Sequence, residues 1–388
     1  MPLNYASVDK NASQYAQQAQ DWLLECKKIA GQLNTLYDEA VSDPERLRQM
    51  IELVQESKSN LYLAKPLQED PLRSYPAPTL PDNYTLLSAD GSQIAPSRHR
   101  ALQFGVVNVG LIKARIGSGE APQIWVETEL LTPQQIQTSE GNLISEDEIA
   151  LLRDLAERKR IRQAVSSEDA EPVITLTDGP LDIFYRSTIQ GEREQQVQRD
   201  ISEIDEDLRR RGVLTAGYID KHGSAMLSRM LAVFQCKRQG LPPDKKTDGL
   251  NLSDRFILRD ILDQPGERSA IFEAISRGPK KPANSGAVAF FYLNVSGAED
   301  EPCLVRVEFP LWVSESPRLV DALHAVIYRE AQVLDSHPYP YLLHRAHELA
   351  VVRRIEADEV EAMLQSQLDP QFRARQRQSN KSYLKGLS

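Results

Sequence analysis

The chain has 388 residues, of which 41% are hydrophobic and 26% charged, and its formal net charge is −10 at pH 7. This composition is typical of a globular protein and excludes a largely disordered chain. The negative charge disfavours a protein that coats nucleic acid, although an acidic metal site and a local basic groove can coexist under it. No apolar run approaches the roughly 18 residues of a membrane-spanning helix, so we predict no membrane association.

The N-terminus and the cysteines both bear on the cellular compartment. Residues 1–18 lack a basic segment followed by an apolar one, so the sequence predicts no secretory signal. Cys26, Cys236 and Cys303 are few and far apart, which is typical of reduced thiols and not of a zinc site. We therefore predict a cytoplasmic protein.

Residues 12–65 predict an N-terminal helical hairpin. Apolar side chains recur at spacings of three and four between Tyr15 and Leu36. A second helix is predicted after Asp43, which suits an N-cap, with Pro44 at the first helical position. Residues 66–83 then carry five prolines and predict a stiff connector that ends the helical part.

From residue 84 onward the pattern changes to strands. Apolar runs in 84–90, 101–116 and 123–131 predict an antiparallel meander. Helices and strands then alternate, with helix 145–165, strand 172–178, helix 199–212, strand 213–220 and helix 224–236, followed by strands 286–295 and 303–313 and helices 317–333 and 343–366. The order of three strands, helix, strand, helix, strand, helix is the layout of the RNase H-like fold. We therefore predict an α/β protein: an RNase H-like mixed sheet with flanking helices and the N-terminal hairpin.

Two apolar runs stop at an Asp-Gly pair, at Asp90 and at Asp178. Both pairs could be hairpin turns, because Asp-Gly favours the type I′ turn. Alternatively, the two carboxylates lie at the ends of adjacent strands, where the sites of α/β sheets are found. A long predicted loop after Asp90 and the fully apolar strand before Asp178 favour this second explanation. Adjacent carboxylates repel each other, and a hard cation such as Mg²⁺ or Mn²⁺ relieves that repulsion.

Two charged residues are candidates to complete such a site. Glu157 lies beside the apolar stripe of the helix before Asp178, although a solvent-exposed glutamate paired with Arg160 has the same pattern. Lys221 lies between a predicted strand and a predicted helix, where a phosphate would meet the helix N-terminus. Ser224 suits the N-cap of that helix. The alternative for Lys221 is an exposed loop lysine.

The segment SHPYPYLLHRAHELAVV concentrates histidines and tyrosines at the start of a helix. Neutral imidazole can bind a metal, orient water or transfer a proton, although a helical histidine is often structural. His344 and His347 share a face, and His347 is predicted to lie nearer the sheet. Arg98, His99 and Arg100 form a basic cluster near Asp90 that suits a phosphate backbone.

Together these stretches resemble, in chain order, the motifs of the NurA nuclease family. They are SADGSQIAPSRH, TLTDGPL, GYIDKHGSAML, DRFILRDIL with GERS, VRVEFP and YPYLLHRAHELA, and they extend over about residues 84–352. The resemblance implies an RNase H-like DNA nuclease that depends on Mn²⁺, with Mg²⁺ as the alternative. It also implies 5′→3′ digestion, with single-stranded endonuclease activity as a further option, in DNA end resection with a HerA-type hexameric ATPase. Members of this family are homodimers.

The resemblance also implies roles for particular residues. The acidic metal ligands would be Asp90, Glu157 and Asp178. The histidine of the C-terminal motif would be His347, with Tyr339 as the accompanying tyrosine, and the implied catalytic lysine is Lys221. The long charged stretch between Asp178 and Lys221 departs from the pattern and is consistent with an added helical arm.

The predicted division of the chain has four parts: an N-terminal helical arm, 1–65; a proline-rich connector, 66–83; a NurA-like nuclease domain, 84–366; and a basic tail, 367–388. Two alternative functions stay open. One is a catalytically degenerate scaffold that binds DNA or a motor protein, which carboxylates too far apart to share a metal would favour. The other is a metal-dependent phosphatase, which a closed pocket would favour. The sequence has no G-x-x-x-x-G-K-[ST] motif, so ATP hydrolysis would come from a partner.

Overall fold

The structure, a computed structural model, describes residues 5–56, 62–181, 192–220, 223–241, 252–276, 287–297, 300–334 and 337–370. The chain forms two compact units. Unit 1 takes its described residues from Met1–Ala77, Ile219–Ala283 and Ala287–Ser314, and unit 2 from Pro78–Tyr218, Asn284–Gly286 and Glu315–Ser388. A search of the described helices finds none with the length and hydropathy required to cross a bilayer.

Unit 1 combines helices with antiparallel strands. Its elements are α1 (Tyr5–Val41), α2 (Pro44–Glu56), β1 (Tyr62–Pro66), α5 (Met226–Arg238), α6 (Arg255–Leu258), β7 (Phe272–Ser276), β8 (Val288–Asn294) and β9 (Leu304–Pro310). The strands lie in the order β1-β7-β8-β9, and each neighbouring pair is antiparallel. One apolar core joins the C-terminal half of α1 to α2, α5, β7 and β8.

The predicted hairpin of helices is confirmed, with one correction at its end. Helix α2 begins at Pro44, and Asp43 Oδ1 accepts the backbone N–H of Arg46 at 3.1 Å, as expected for an N-cap. The prediction of helix up to residue 65 is wrong from Tyr62 onward, because Tyr62–Pro66 pairs with β7 as a strand. Pairing with a distant strand outweighs local helix propensity there.

The N-terminus of α5 is capped from a distant part of the chain. Asp254 is fully buried, and its carboxylate accepts the N–H groups of Met226, Leu227 and Ser228 at 2.8, 3.1 and 3.1 Å. The prediction that Ser224 caps this helix is therefore wrong. Since a carboxylate of the chain itself occupies this helix end, it does not offer the phosphate site that the sequence indicated. Lys221 lies outside the described residues.

Unit 2 contains the predicted alternation of strands and helices. Its elements are β2 (Tyr84–Ile94), β3 (Gly105–Ile116), β4 (Gln123–Leu131), α3 (Glu146–Ala164), β5 (Val173–Asp178), α4 (Glu192–Arg210), β6 (Leu214–Ile219), α7 (Pro317–Ala331), α8 (Tyr341–Ala350) and α9 (Arg354–Gln367). The strands lie in the order β4-β3-β2-β5-β6, in which β2, β3 and β4 are antiparallel and β2, β5 and β6 parallel. An antiparallel meander that continues into parallel strands through helical crossovers is the RNase H-like arrangement, so the predicted fold class is confirmed.

Several boundaries in unit 2 differ from the prediction, and two of them bear on the candidate site. Strand β2 does not end at Asp90 but pairs with β3 as far as Ile94, so Asp90 is neither in a turn nor at the strand terminus. The single helix predicted over 343–366 is two helices, because the chain leaves helical geometry between Ala350 and Arg354. The division of the chain into arm, connector, nuclease domain and tail stays a prediction.

Asp254→Ala should lower the free energy of unfolding by about 2–4 kcal/mol, because three buried N–H groups would lose a charged acceptor. The measurement is urea denaturation followed by circular dichroism. Asp43→Ala is the matched control, since it removes an exposed N-cap worth about 1 kcal/mol. Equal losses in the two variants would contradict the assigned role of Asp254.

Candidate active site

Helix α8 lies directly on the sheet of unit 2 because β3 has no side chain at residue 110. A Cβ built on Gly110 would lie 2.6 Å from the carbonyl oxygen of Ala346, 2.7 Å from Leu349 Cβ and 2.9 Å from the nitrogen of Ala350. Gly110 is also the residue opposite Asp90 in the β2–β3 pairing. The helix backbone therefore approaches the sheet beside Asp90.

Polar contacts hold both ends of α8. At its start, the buried Glu330 of α7 accepts the N–H of Leu342 at 3.1 Å, and burial raises the pKa of this carboxyl group. At its end, the carbonyl oxygen of Ala350 accepts Asn108 Nδ2 at 2.8 Å and the hydroxyl of Ser92. These contacts restrict both the position and the rotation of the helix.

This placement of α8 brings His347 into contact with Asp90. The Nδ1 atom of His347 lies 2.6 Å from Oδ2 of Asp90, while Oδ1 of Asp90 accepts the N–H of Gly91 at 2.8 Å. The His347 side chain is 60% exposed and that of Asp90 15%. His344 instead points toward Glu348, with 3.6 Å between Nε2 and Oε1. The two histidines therefore have different surroundings.

Asp178 lies level with Asp90 on the neighbouring parallel strand. The last pair in the β2–β5 register joins Ala89 to Thr177, and the two aspartates are the next residues of the two strands. Side chains at the same level of adjacent parallel strands share a face of the sheet. Asp178 therefore lies on the face of Asp90, at the end of β5, and it is exposed.

Tyr339 lies near this position, just before α8. Its ring meets the ring of Tyr218 edge-on, with 5.4 Å between the centroids. Tyr218 is the residue of β6 that pairs with Asp178, and its hydroxyl group donates to the carbonyl oxygen of Pro338 at 3.5 Å. Tyr339 is thus held one strand away from Asp178.

Glu157 approaches β2 from the opposite side of the sheet. Its Oε1 atom lies 2.6 Å from the position of a Cβ on Gly91, and successive residues of a strand face opposite sides. The side chain is buried, and Arg153 Nε lies 3.3 Å from Oε1. Burial raises the pKa of Glu157 well above its ordinary value, and the charges of Asp154 and Asp90 raise it further. Arg153 lowers this pKa.

The predicted site residues therefore meet in pairs. Asp90 contacts His347, Glu157 lies against the residue after Asp90, and Asp178 lies level with Asp90. Within the residues that the structure describes, no three His, Cys, Asp or Glu side chains form a group that could hold an ion. Glu157 is buried beside Arg153 rather than exposed on the surface of α3, and the contact with Arg160 that the alternative required is absent among its described ion pairs.

The basic cluster of Arg98, His99 and Arg100 lies after β2, and its members have different surroundings. Arg100 is tied to α9, with Nη1 2.8 Å from Glu361 and 3.0 Å from Asp358. Glu361 also accepts the N–H groups of the two residues that follow Arg100, at 2.9 and 3.2 Å. Arg98 and His99 are exposed at the tip of the turn that this clamp supports.

Sequence reasoning missed two residues that shape the site, Gly110 and Arg153. A glycine inside an otherwise apolar strand is a recognised signal of close backbone approach, and it would have indicated Gly110. Arg153 resembles any other arginine on a charged helix, and only its proximity to Glu157 and Asp154 distinguishes it.

The donor set suits a hard cation. Asp90, Glu157 and Asp178 offer oxygen atoms, which Mn²⁺ and Mg²⁺ prefer. Near Glu157, Arg153 contacts two carboxylates, since its Nη2 lies 2.8 Å from Asp154 and its Nε 3.3 Å from Glu157. Burial chiefly raises the pKa of Glu157, the charges of Asp154 and Asp90 raise it further, and a bound cation would lower it.

Comparison with known proteins identifies the family. The family model of the NurA domain matches residues 84–352. Similar solved structures include the NurA nuclease from Sulfolobus solfataricus, with 12% identity, 86% of this chain and 97% of that chain covered, and a TM-score of 0.45. A NurA bound to dAMP and manganese has 10% identity, 88% and 98% coverage, and a TM-score of 0.40. A search of curated proteins finds no match. The chain belongs to the NurA family of nucleases.

Gly110→Ala should reduce nuclease turnover by about 10²-fold, because its Cβ would push the α8 backbone away and move His347 from Asp90. Gly105→Ala in the same strand is the control, since its Cβ would meet only side-chain methyl groups, the nearest at 3.0 Å. DNA cleavage is measured with each variant after thermal denaturation has verified folding. Full activity of folded Gly110→Ala would contradict the role of this glycine.

Proposed function

We propose that this protein is a Mn²⁺-dependent DNA nuclease that digests DNA in the 5′→3′ direction, and that Mg²⁺ is the alternative cofactor. Family membership supports a nuclease. The observation that carries the proposal for the site is the 2.6 Å contact between His347 and Asp90, level with Asp178 on the next strand. Manganese is suggested by the NurA structures that contain it.

In this proposal Asp90, Glu157 and Asp178 supply the oxygen ligands of the metal site. A bound Mn²⁺ would polarise the phosphodiester and lower the pKa of a coordinated water. Asp90 has a second task, because it also holds the His347 ring. Glu157 lies on the other face of the sheet with Oε1 beside Gly91, so its side chain would have to leave this position to join the ligand set.

The remaining site residues act on protons and phosphate charge. Hydrolysis joins the oxygen of water to phosphorus and breaks one ester P–O bond, so the departing oxygen must gain a proton. When Nδ1 of His347 donates to Asp90, Nε2 is the nitrogen that can bind the metal or exchange that proton. Lys221 would stabilise charge on the phosphate, and Tyr339 would donate a hydrogen bond to it. No covalent intermediate is required.

We propose that this protein has the partners that its resemblance to the NurA family implies. The protein would work as a homodimer in the cytoplasm, with a HerA-type hexameric ATPase that supplies the energy of DNA translocation during end resection. This division of labour is consistent with a chain that has no phosphate-binding loop motif of its own.

Asp90→Ala and Asp178→Ala should each abolish Mn²⁺-dependent DNA cleavage in a folded protein, because a hard-cation site loses both charge and geometry with one carboxylate. The assay uses end-labelled DNA with Mn²⁺ or with a chelator. Wild-type activity in either variant would refute the site. Wild-type protein that binds DNA without cleaving it would instead indicate the scaffold, and hydrolysis of small phosphoesters alone would indicate the phosphatase.

His347→Ala should reduce turnover by about 10²-fold, as expected for loss of a positioned acid–base group. His344→Ala, on the same helix, should cost much less because that ring lies near Glu348 and not Asp90. Both variants are assayed at saturating Mn²⁺, so that a weakened metal contact is not mistaken for a lost proton donor. Equal activities would refute the role of His347.

A further inference from the structure

Helix α1 carries one apolar stripe along its whole length. The members of the stripe are Tyr5, Val8, Ala12, Tyr15, Ala19, Trp22, Cys26, Ile29, Leu33, Leu36 and Ala40. Their spacing alternates strictly between three and four residues, which is the heptad pattern of a helix that packs against another helix. In heptad terms Tyr5, Ala12 and Ala19 occupy position a, and Val8, Tyr15 and Trp22 position d.

Only the C-terminal half of this stripe is covered. Cys26 and Leu33 are 3% and 0% exposed and belong to the core of unit 1. In the N-terminal half, Tyr5 and Tyr15 are both 73% exposed, and Trp22 is 60% exposed. The same apolar stripe is therefore packed in one half of the helix and uncovered in the other half.

The uncovered half is long enough to require a packing partner. From Tyr5 to Trp22 the helix extends about 26 Å, at 1.5 Å per residue. Helices in proteins derive most of their stability from packing of an apolar face. A contiguous exposed apolar surface of this kind marks an interaction site.

The charges on this half exclude two kinds of partner. Residues 5–22, all of which the structure describes, contain Lys10 as their only cationic side chain, beside Asp9 and Asp21. Helices that lie on membranes carry many lysines and arginines on their polar face, and protein surfaces that bind nucleic acid are basic. The exposed half of the stripe therefore suits, as its packing partner, an apolar face of a protein helix.

The stripe is complementary to itself. When two copies are aligned antiparallel about a two-fold axis between residues 13 and 14, each a position meets a d position. Tyr15 then lies opposite Ala12 of the second copy, and Val8 opposite Ala19. Large side chains thus face small ones, and Tyr5 meets Trp22 as an aromatic pair. A two-fold axis makes every such contact occur twice.

We propose that the N-terminal half of α1, from Tyr5 to Trp22, pairs antiparallel with the same segment of a second copy of this chain. This rests on the homodimer proposed above and assigns a surface to it. Six aromatic side chains, three from each copy, at 150–250 Å² for full burial give an area on the order of 1,000 Å². That is close to the lower limit of a specific interface.

The test compares two charge substitutions on α1 of the full-length protein. Tyr15→Glu places a carboxylate in the apolar stripe, whereas Gln14→Glu places one on the outer face of the same helical turn. Sedimentation across a range of protein concentrations gives the dimer dissociation constant of wild type and of both variants. Circular dichroism verifies that each variant is folded, and DNA cleavage is measured in parallel.

The wild type should be a dimer that Gln14→Glu leaves unchanged. Tyr15→Glu should raise the dissociation constant by about 100-fold, because each half of the interface would bury an unpaired carboxylate. Ala12→Leu is a second variant, which should weaken the dimer by crowding Tyr15 without adding charge. A dimer that survives Tyr15→Glu and Ala12→Leu would overturn this interface but not the homodimer. A wild-type monomer would overturn both, and neither result would bear on DNA cleavage by the wild type.

Discussion

The close contact between α8 and β3 at Gly110 is the constraint on which the rest of the candidate site depends. Backbone atoms of Ala346 and Ala350 occupy the space that the side chain of any other residue would fill at position 110 of β3. Since Gly110 pairs with Asp90, this contact sets the height of His347 above the carboxylate. The hydrogen bonds of Glu330 and Asn108 at the two ends of α8 then limit how far the helix can slide or turn.

The candidate site has residues on both faces of the sheet, one covered by α8 and the other by α3. On the α8 side, Asp90, Asp178 and the imidazole of His347 face solvent in part, where a phosphodiester can approach. On the α3 side, Glu157 is buried with Arg153, and its pKa is raised chiefly by that burial. The side chains of Glu157 and Arg153 fill the space that a Cβ on Gly91 would occupy. The metal site that we propose requires Glu157 to leave this buried position, because Asp90 and Asp178 lie on the other face of the sheet.

The strand and helix pattern of unit 2 could be predicted from the sequence because its periodicity is strong. Strand β4, Gln123–Leu131, has the predicted bounds, and helix α3, Glu146–Ala164, lies within the predicted range of 145–165. Strand β1 could not be predicted, since Tyr62–Pro66 becomes a strand only through its pairing with β7. The predicted end of β2 at Asp90 is too early for a related reason. Pairing with β3 extends β2 to Ile94, beyond the point where its pairing with β5 ends. Within the site, the types of residue could be predicted, whereas the opposite approaches of Glu157 and His347 depend on which face of β2 each helix covers.

The most direct test of this account is a double-mutant cycle between Gly110 and His347 in the rate of Mn²⁺-dependent DNA cleavage. The rates of wild type, Gly110→Ala, His347→Ala and the double variant are compared at saturating Mn²⁺ and DNA. If Gly110 acts by placing His347, the account predicts that the double variant cleaves as fast as His347→Ala alone, since residues that act as a unit are not additive. Losses that multiply in the double variant would contradict it, because they would show that the two residues act independently.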